Sequence, residues 1–295
     1  MRKELTPQLK DYELIDSGDF EKLERFGQYV TRRPEPQAIW RKSLPEQEWR
    51  RRADASFLRE ERSEERGEWK FKPHVPSRWV VGFDYRGMSL KMRLAFTSFK
   101  HVGIFPEQAA NWEFIYDRCE ALRAKGTTPK VLNLFAYTGG ATVACTYAGA
   151  TVCHVDAAKN MVERAKENMR LSGLENKPVR YIVDDCKKFV QREIRRGKKY
   201  DAIIMDPPSY GRGPNGEMWK LENELYSLVE LCKEVLSDNP LFFLINSYTT
   251  GLQPQVIKNI LKLILPEGKI DADEIGVETD EGIVLPCGCS GFWTR

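Results

Sequence analysis

A chain of 295 residues with 41% hydrophobic and 30% charged residues can bury one full α/β core and still carry a smaller second unit, which excludes a disordered or fibrous protein. The formal charge of +3, from 46 basic and 43 acidic residues, neither demands nor forbids a polyanionic partner. No apolar run approaches the roughly 18 residues of a membrane span, no secretory signal core is visible near residue 1, and seven unframed cysteines fit a reducing, cytoplasmic compartment.

Residues 1 to about 44 read as short strands and turns, punctuated by Ser17-Gly18 and Arg33-Pro34. Residues 45–67 are so charged that an exposed helix and a connector are both open. A hairpin follows, with 79–85 and 88–96 flanking Arg86-Gly87; Leu90, Met92, Leu94 and Phe96 alternate with Ser89, Lys91, Arg93 and Ala95. Such alternation buries one face and leaves a partly basic face outside. From about residue 107 helices alternate with apolar strands, as in a parallel sheet. The expected strands are 131–135, 151–156, 179–184, 200–206 and 241–247, with further strands near 270–278 and 290–295. Helices are expected at 107–124, between the strands (one of them over 218–237), and from about Gln253. The expected architecture is α/β: a Rossmann-like seven-stranded sheet over 107–295, with a smaller β-rich subdomain over 1–106. Basic clusters at Arg41-Lys42, at 50–52 and at 192–199 can bind a polyanion or simply be solvated helix faces.

The first strand of the sheet runs into Asn133-Leu-Phe-Ala-Tyr-Thr-Gly-Gly-Ala141. Glycines there let the backbone turn sharply toward a ligand, and the following helix offers unpaired N–H groups. The second strand ends at Asp156, before Ala157, where an acid in a βαβ unit is positioned to accept hydrogen bonds from ribose hydroxyls. The third ends at Asp184-Asp185, before Cys186, where a carboxylate or the backbone can receive an adenine amino group; Asp185 can equally be a plain helix N-cap. The turn lacks the Gly-x-Gly-x-x-Gly spacing that a pyrophosphate needs, which disfavours a dinucleotide and favours S-adenosylmethionine.

The fourth strand ends in Asp206-Pro207-Pro208-Ser209-Tyr210. Two prolines fix φ and remove two donors, leaving carbonyls to face a cleft. Asp206 offers an acceptor and Tyr210 a ring that can stack on a planar base, so that the loop holds a nucleophilic atom in line with a methyl group. The bland alternative is a strand stopped by Pro-Pro, with Tyr210 packed locally.

Taken in order and spacing, NLFAYTGGAT, Asp156, DDCKKF and DPPSY resemble the 23S ribosomal RNA large-subunit methyltransferase family that includes a cytosine-5 enzyme; SFKHVGIFPEQAANW (98–112) resembles that family's approach to its catalytic domain. The likeness covers about residues 95–265. It implies a methyltransferase sheet and S-adenosylmethionine as cofactor. The candidate cofactor-binding residues are Gln108 (near the methionine end), Asn133, Phe135, Ala136, Tyr137, Thr138, Gly139, Asp156, Ala157, Asp185, Cys186 and Asp206. Asp206, Pro207 and Tyr210 are the candidate catalytic residues.

This sequence departs from the family in two ways. Its N-terminal RNA-binding module is not recognisable in residues 1–70. Cytosine C5 methylation also needs a thiolate to add to C6, and Ile245-Asn-Ser-Tyr-Thr-Thr-Gly251 contains no cysteine, while position 209 is Ser. Cys287 and Cys289, in the loop-like stretch LPCGCSG, have the wrong spacing for a zinc knuckle and no neighbouring histidine, so core or turn cysteines and no metal are expected. Among the histidines, His74 shows no catalytic constellation, His154 is expected to be packed, and His101 lies in the family-like segment. The resulting reading is a methyltransferase of a ribosomal RNA base, at nitrogen rather than at cytosine C5, with RNA and no membrane as partner. The alternatives are a protein or small-molecule methyltransferase, and a non-catalytic RNA-binding protein that retains the cofactor pocket. The oligomeric state stays open.

Overall fold

The computed structural model describes residues 4–7, 9–60, 66–212, 218–249 and 251–295. Two compact units emerge: Asn111–Ile275 groups with Gly288–Arg295, and Leu5–Ala110 groups with Gly276–Cys287.

The second of these is β-rich. It holds β1 (Glu4–Leu5, its first residue counted with the other unit), β2 (Tyr12–Gly18), β3 (Glu21–Phe26), β4 (Tyr29–Pro34), α1 (Glu46–Arg52), β5 (Ala55–Arg59), β6 (Gly67–Phe71), β7 (Arg78–Tyr85) and β8 (Met88–Ala95). Strands β2 to β6 form one five-stranded sheet, and β7–β8 form the expected hairpin. Arg86 takes a left-handed φ of 51°, as a tight primed turn requires. Leu90, Met92 and Leu94 are buried, whereas Lys91 is exposed.

The charged segment that the sequence left open becomes helix α1 and strand β5. Trp49 decides it: the side chain is fully buried and its indole donates to Asp16 Oδ2 at 2.7 Å. The same carboxylate accepts from the Leu44 amide at 2.8 Å. Residues 61–65 of that segment lie outside the described residues.

The larger unit contains most of α2 (Ala109–Ala124), followed by β9 (Lys130–Leu134), α3 (Gly140–Tyr147), β10 (Thr151–Asp156), α4 (Lys159–Leu171), β11 (Val179–Val183), α5 (Cys186–Arg195) and β12 (Ala202–Met205). After these come β13 (Tyr210–Arg212), β14 (Met218–Lys220), α6 (Leu221–Lys233), β15 (Phe242–Ser247), α7 (Pro254–Ile264), β16 (Lys269–Glu278) and β17 (Val284–Thr294). The sheet order is β1-β16-β17-β15-β12-β9-β10-β11. The pairs β15–β12, β12–β9, β9–β10 and β10–β11 are parallel, and β17 is antiparallel to β15. The seven expected strands are therefore present, and the two-residue β1 adds an eighth at the edge.

Every residue of β12 and β15 is buried, as expected of strands covered on both faces. Helix α5 buries Cys186, Phe189, Val190 and Glu193, which share one helical face.

Three expectations change. The first sheet strand ends at Leu134, because Phe135 leaves the extended region with φ 52°. The helix expected over 218–237 begins only at Leu221, since residues 218–220 pair with 210–212 in a small hairpin. Cys287 and Cys289 are not on a loop; both lie on β17.

Candidate active site

Strands β12, β9, β10 and β11 run side by side and parallel, so their C-terminal ends share one edge of the sheet. The strand order reverses between β9 and β12, the position at which open α/β sheets take their ligands.

The turn after β9 is the most constrained piece of backbone there. Phe135, Tyr137 and Gly139 all have left-handed φ, at 52°, 49° and 87°. For the two non-glycine residues this costs about 1–2 kcal/mol each, so surrounding contacts must enforce it. The Phe135 amide donates to Cys186 Sγ at 3.3 Å, the Ala136 amide to the Val155 carbonyl at 3.1 Å, and the Tyr137 amide to Asp156 Oδ2 at 2.9 Å. The Thr138 carbonyl accepts from Asn168 Nδ2 at 2.8 Å. A Cβ on Gly140 would stand 2.7 Å from the Trp112 ring, so close packing with α2 requires glycine there. Four elements thus pin five residues.

Beneath the turn runs a buried polar chain. Asn133 Nδ2 donates to Thr142 Oγ1 at 2.9 Å, and that hydroxyl lies 2.9 Å from His154 Nδ1. Burial pushes the His154 pKa down to about 3.

Asp156 closes β10. Besides accepting from Tyr137, its Oδ1 accepts from the Ala158 amide at 2.8 Å. Burial raises its pKa against the pull of those two amides. Each oxygen spends one lone pair on an amide and keeps another for a ligand. Ala157 follows, exposed. Asp185 is the N-cap of α5, its Oδ1 accepting from the Lys188 amide at 2.8 Å, and Cys186 is buried behind the turn. Asp184 accepts from the Asp185 amide at 2.8 Å and pairs with Arg192.

Asp206 leaves β12 half-buried, its amide directed at the Leu134 carbonyl at 3.4 Å. Pro207 is buried, whereas Pro208, Ser209 and Tyr210 are exposed. Three contacts tether this loop. Trp219 Nε1 donates to the Pro208 carbonyl at 2.6 Å, the Leu221 amide to the Ser209 carbonyl at 3.0 Å, and Thr249 Oγ1 to Ser209 Oγ at 2.7 Å. Tyr210 begins β13, and its hydroxyl donates to Met218 Sδ at 2.9 Å.

The expected residues therefore fall into three groups. The 135–139 turn, Asp156, Ala157, Asp185, Cys186, Asp206 and Pro207 gather at the strand ends. Asn133 lies inside β9 with its amide group on Thr142, and Tyr210 lies on the β13–β14 hairpin. Gln108 belongs to the β-rich unit, buried in a 3-10 turn over Pro106–Gln108. Trp219, Asn168 and Trp112 were not anticipated; each acts across long sequence separations that local patterning does not encode.

Residues 67–247 match the family of S-adenosylmethionine-dependent methyltransferases. The chain belongs to this family. The methyltransferase superposes on the S-adenosylmethionine-dependent methyltransferase of Agrobacterium tumefaciens with a TM-score of 0.90 and 36% identity, covering 98% of this chain and 92% of that one. It is 30% identical over 151 residues to ribosomal RNA large subunit methyltransferase K/L of Shewanella frigidimarina, which is 50% of this chain and 20% of that protein. It is 35% identical over 82 residues to ribosomal RNA large subunit methyltransferase I of Klebsiella pneumoniae, 28% of this chain and 20% of that protein. These matches span about a fifth of either curated relative. The family resemblance expected from the sequence is thus met by the family match and by relatives that are ribosomal RNA large subunit methyltransferases.

The methyltransferase's own residues fit the family's cofactor. A half-buried carboxylate with acceptor capacity to spare stands at the end of β10, and the preceding turn has no third glycine of the kind a pyrophosphate would need.

Proposed function

We propose that this methyltransferase methylates a nitrogen of an RNA base, with ribosomal RNA as the favoured substrate. The observation that carries the nitrogen assignment is the state of the thiols beside an intact Asp206-Pro207-Pro208 loop. All seven cysteines are unpaired, and Cys287 and Cys289 sit on β17 with burial pushing both thiols up, Cys289 to about 11. A thiolate that adds to cytosine C6 would need the opposite shift. A ring or exocyclic nitrogen already has its lone pair and needs only orientation.

Bound S-adenosylmethionine supplies an electrophilic methyl group on a sulfonium. With the cofactor bound, Asp156 would accept from the ribose hydroxyls, and Asp185 and the 135–139 turn would frame the adenosine. Asp206 and the Pro207 carbonyl accept N–H bonds from the substrate amine and hold its lone pair toward the methyl, a positioning effect. Tyr210 offers a ring for base stacking. Residues 107–295 act as the catalytic domain and residues 1–106 as an auxiliary substrate-binding subdomain. Unpaired thiols support a reducing cytoplasm, and among the described residues no helix is long and apolar enough to cross a membrane. A non-catalytic RNA-binding protein would have no use for the acceptor loop.

RNA as substrate rests on the relatives' names and on this loop chemistry. A gel shift with ribosomal RNA fragments tests it: retention at moderate salt is expected, and no shift alongside methylation of a protein or small molecule would reverse the substrate class.

A further inference from the structure

We propose that Trp219 is a positioning residue that sets the spacing between the cofactor turn and the methyl-acceptor loop, an inference that rests on the 206–209 loop being the acceptor side. The side chain has two ends in use. Its indole N–H donates to the Pro208 carbonyl at 2.6 Å, and its ring lies 5.4 Å, centroid to centroid, from Phe135 at an angle of 49°. Phe135 is the first left-handed residue of the cofactor turn. Proline has no N–H, so its carbonyl is the one backbone group by which Pro208 can be held, and Trp219 takes it.

The hairpin is built to deliver this ring. Trp219 pairs with Gly211, and a Cβ on Gly211 would stand 3.7 Å from Trp219 Cβ and 3.8 Å from Pro208 Cγ. Alternation along β14 puts Met218, the hydroxyl partner of Tyr210, on the opposite face from Trp219. Trp219 is therefore an aromatic side chain that bridges the two halves of the site. Methyl transfer tolerates little misalignment, since a displacement near 1 Å costs on the order of 100-fold in rate. A rigid indole braced on both sides keeps the acceptor loop at one distance from the turn.

Trp219→Phe keeps the ring against Phe135 and removes the N–H; Trp219→Ala removes both. Hydrogen exchange of the Ser209 and Tyr210 amides reads the tether without any substrate. Exchange in Trp219→Phe should rise at least tenfold, with affinity for S-adenosylhomocysteine within twofold of wild type. Trp219→Ala should also weaken S-adenosylhomocysteine. Transfer of labelled methyl to total ribosomal RNA from a strain lacking the protein reads the consequence: kcat of Trp219→Phe should fall 10- to 100-fold with KM within about threefold. Unchanged exchange at both amides, or a full kcat accompanied only by a lower Tm, overturns the assignment and leaves the indole as packing. Asp206→Ala in the same assay separates the two layers. If it retains activity, the acceptor-loop assignment fails. If it is inactive while Trp219→Phe is unimpaired, only the Trp219 assignment fails. No labelling by wild type counts against ribosomal RNA, and the exchange result then decides on Trp219.

Discussion

Asp156 illustrates how a residue proposed to bind the ligand also holds the fold. Its position at a strand end was legible in the sequence; its two internal bonds, to Tyr137 and Ala158, were not, because they depend on a turn bent into left-handed conformations. Asp156→Ala should weaken S-adenosylhomocysteine by about 1–3 kcal/mol, roughly 5- to 150-fold, and lower Tm as two amides lose their acceptor. Calorimetry and thermal melts check this, and equal affinity in wild type and variant removes Asp156 from the site. Asp185 was legible both as a ligand acceptor and as an N-cap, and it is observed capping α5. His154 was expected to be packed; it is fully buried, and that burial keeps it neutral. Its folded pKa, about 3, lies below the ordinary 6.5. Its share of stability is therefore complete above pH 6.5 and is lost as pH falls toward 3, at about 1.4 kcal/mol per pH unit, because the unfolded chain takes a proton the folded site refuses. The ring resonances of His154 should not titrate above pH 5; a midpoint near 6.5 would contradict the buried neutral assignment.

At the scale of elements, the strands of the parallel sheet were readable within a residue or two because continuous burial writes itself as apolar runs, as in β12 and β15. The β13–β14 hairpin was not readable. Its strands are three residues long, too short for periodicity, and it is organised by side-chain bonds from Trp219 back to Pro208 and from the distant Thr249 to Ser209. Helix α1 was ambiguous for a related reason. Its charged residues pair within one turn, Arg50 with Glu46 and Arg51 with Glu48, while the anchor that fixes it is Asp16, 33 residues from Trp49. The loop after β12 should behave as a functional element: Asp206→Ala should lower kcat by at least 100-fold and move Tm by no more than a few degrees. An unfolded variant would make the Pro-Pro loop structural, and an unchanged kcat would remove Asp206 from the chemistry.

For the whole molecule, charge does little to identify the substrate. The basic clusters visible in the sequence find acids close at hand: Lys42 meets Glu21 and Glu46, Arg52 meets Glu48, and Arg196 meets Glu193. Such pairing cancels much of the local field, and the more exposed Arg52–Glu48 pair contributes at most about 1 kcal/mol. Family membership and the Rossmann-like class of the sheet were legible from motif order and spacing. The grouping of Gly276–Cys287 with residues 5–110 was not, since a chain segment returning to an earlier unit leaves no local mark. The central claim, methyl transfer to a nitrogen of an RNA base without a thiol nucleophile, is tested most directly by methylating ribosomal RNA from a deletion strain in vitro and identifying the product nucleoside by mass spectrometry. The account predicts an N-methylated base, formed equally well by the double variant Cys287→Ala, Cys289→Ala. It also predicts no covalent adduct with RNA containing 5-fluorocytosine. Recovery of 5-methylcytidine, or an adduct that disappears in the double variant, would contradict it.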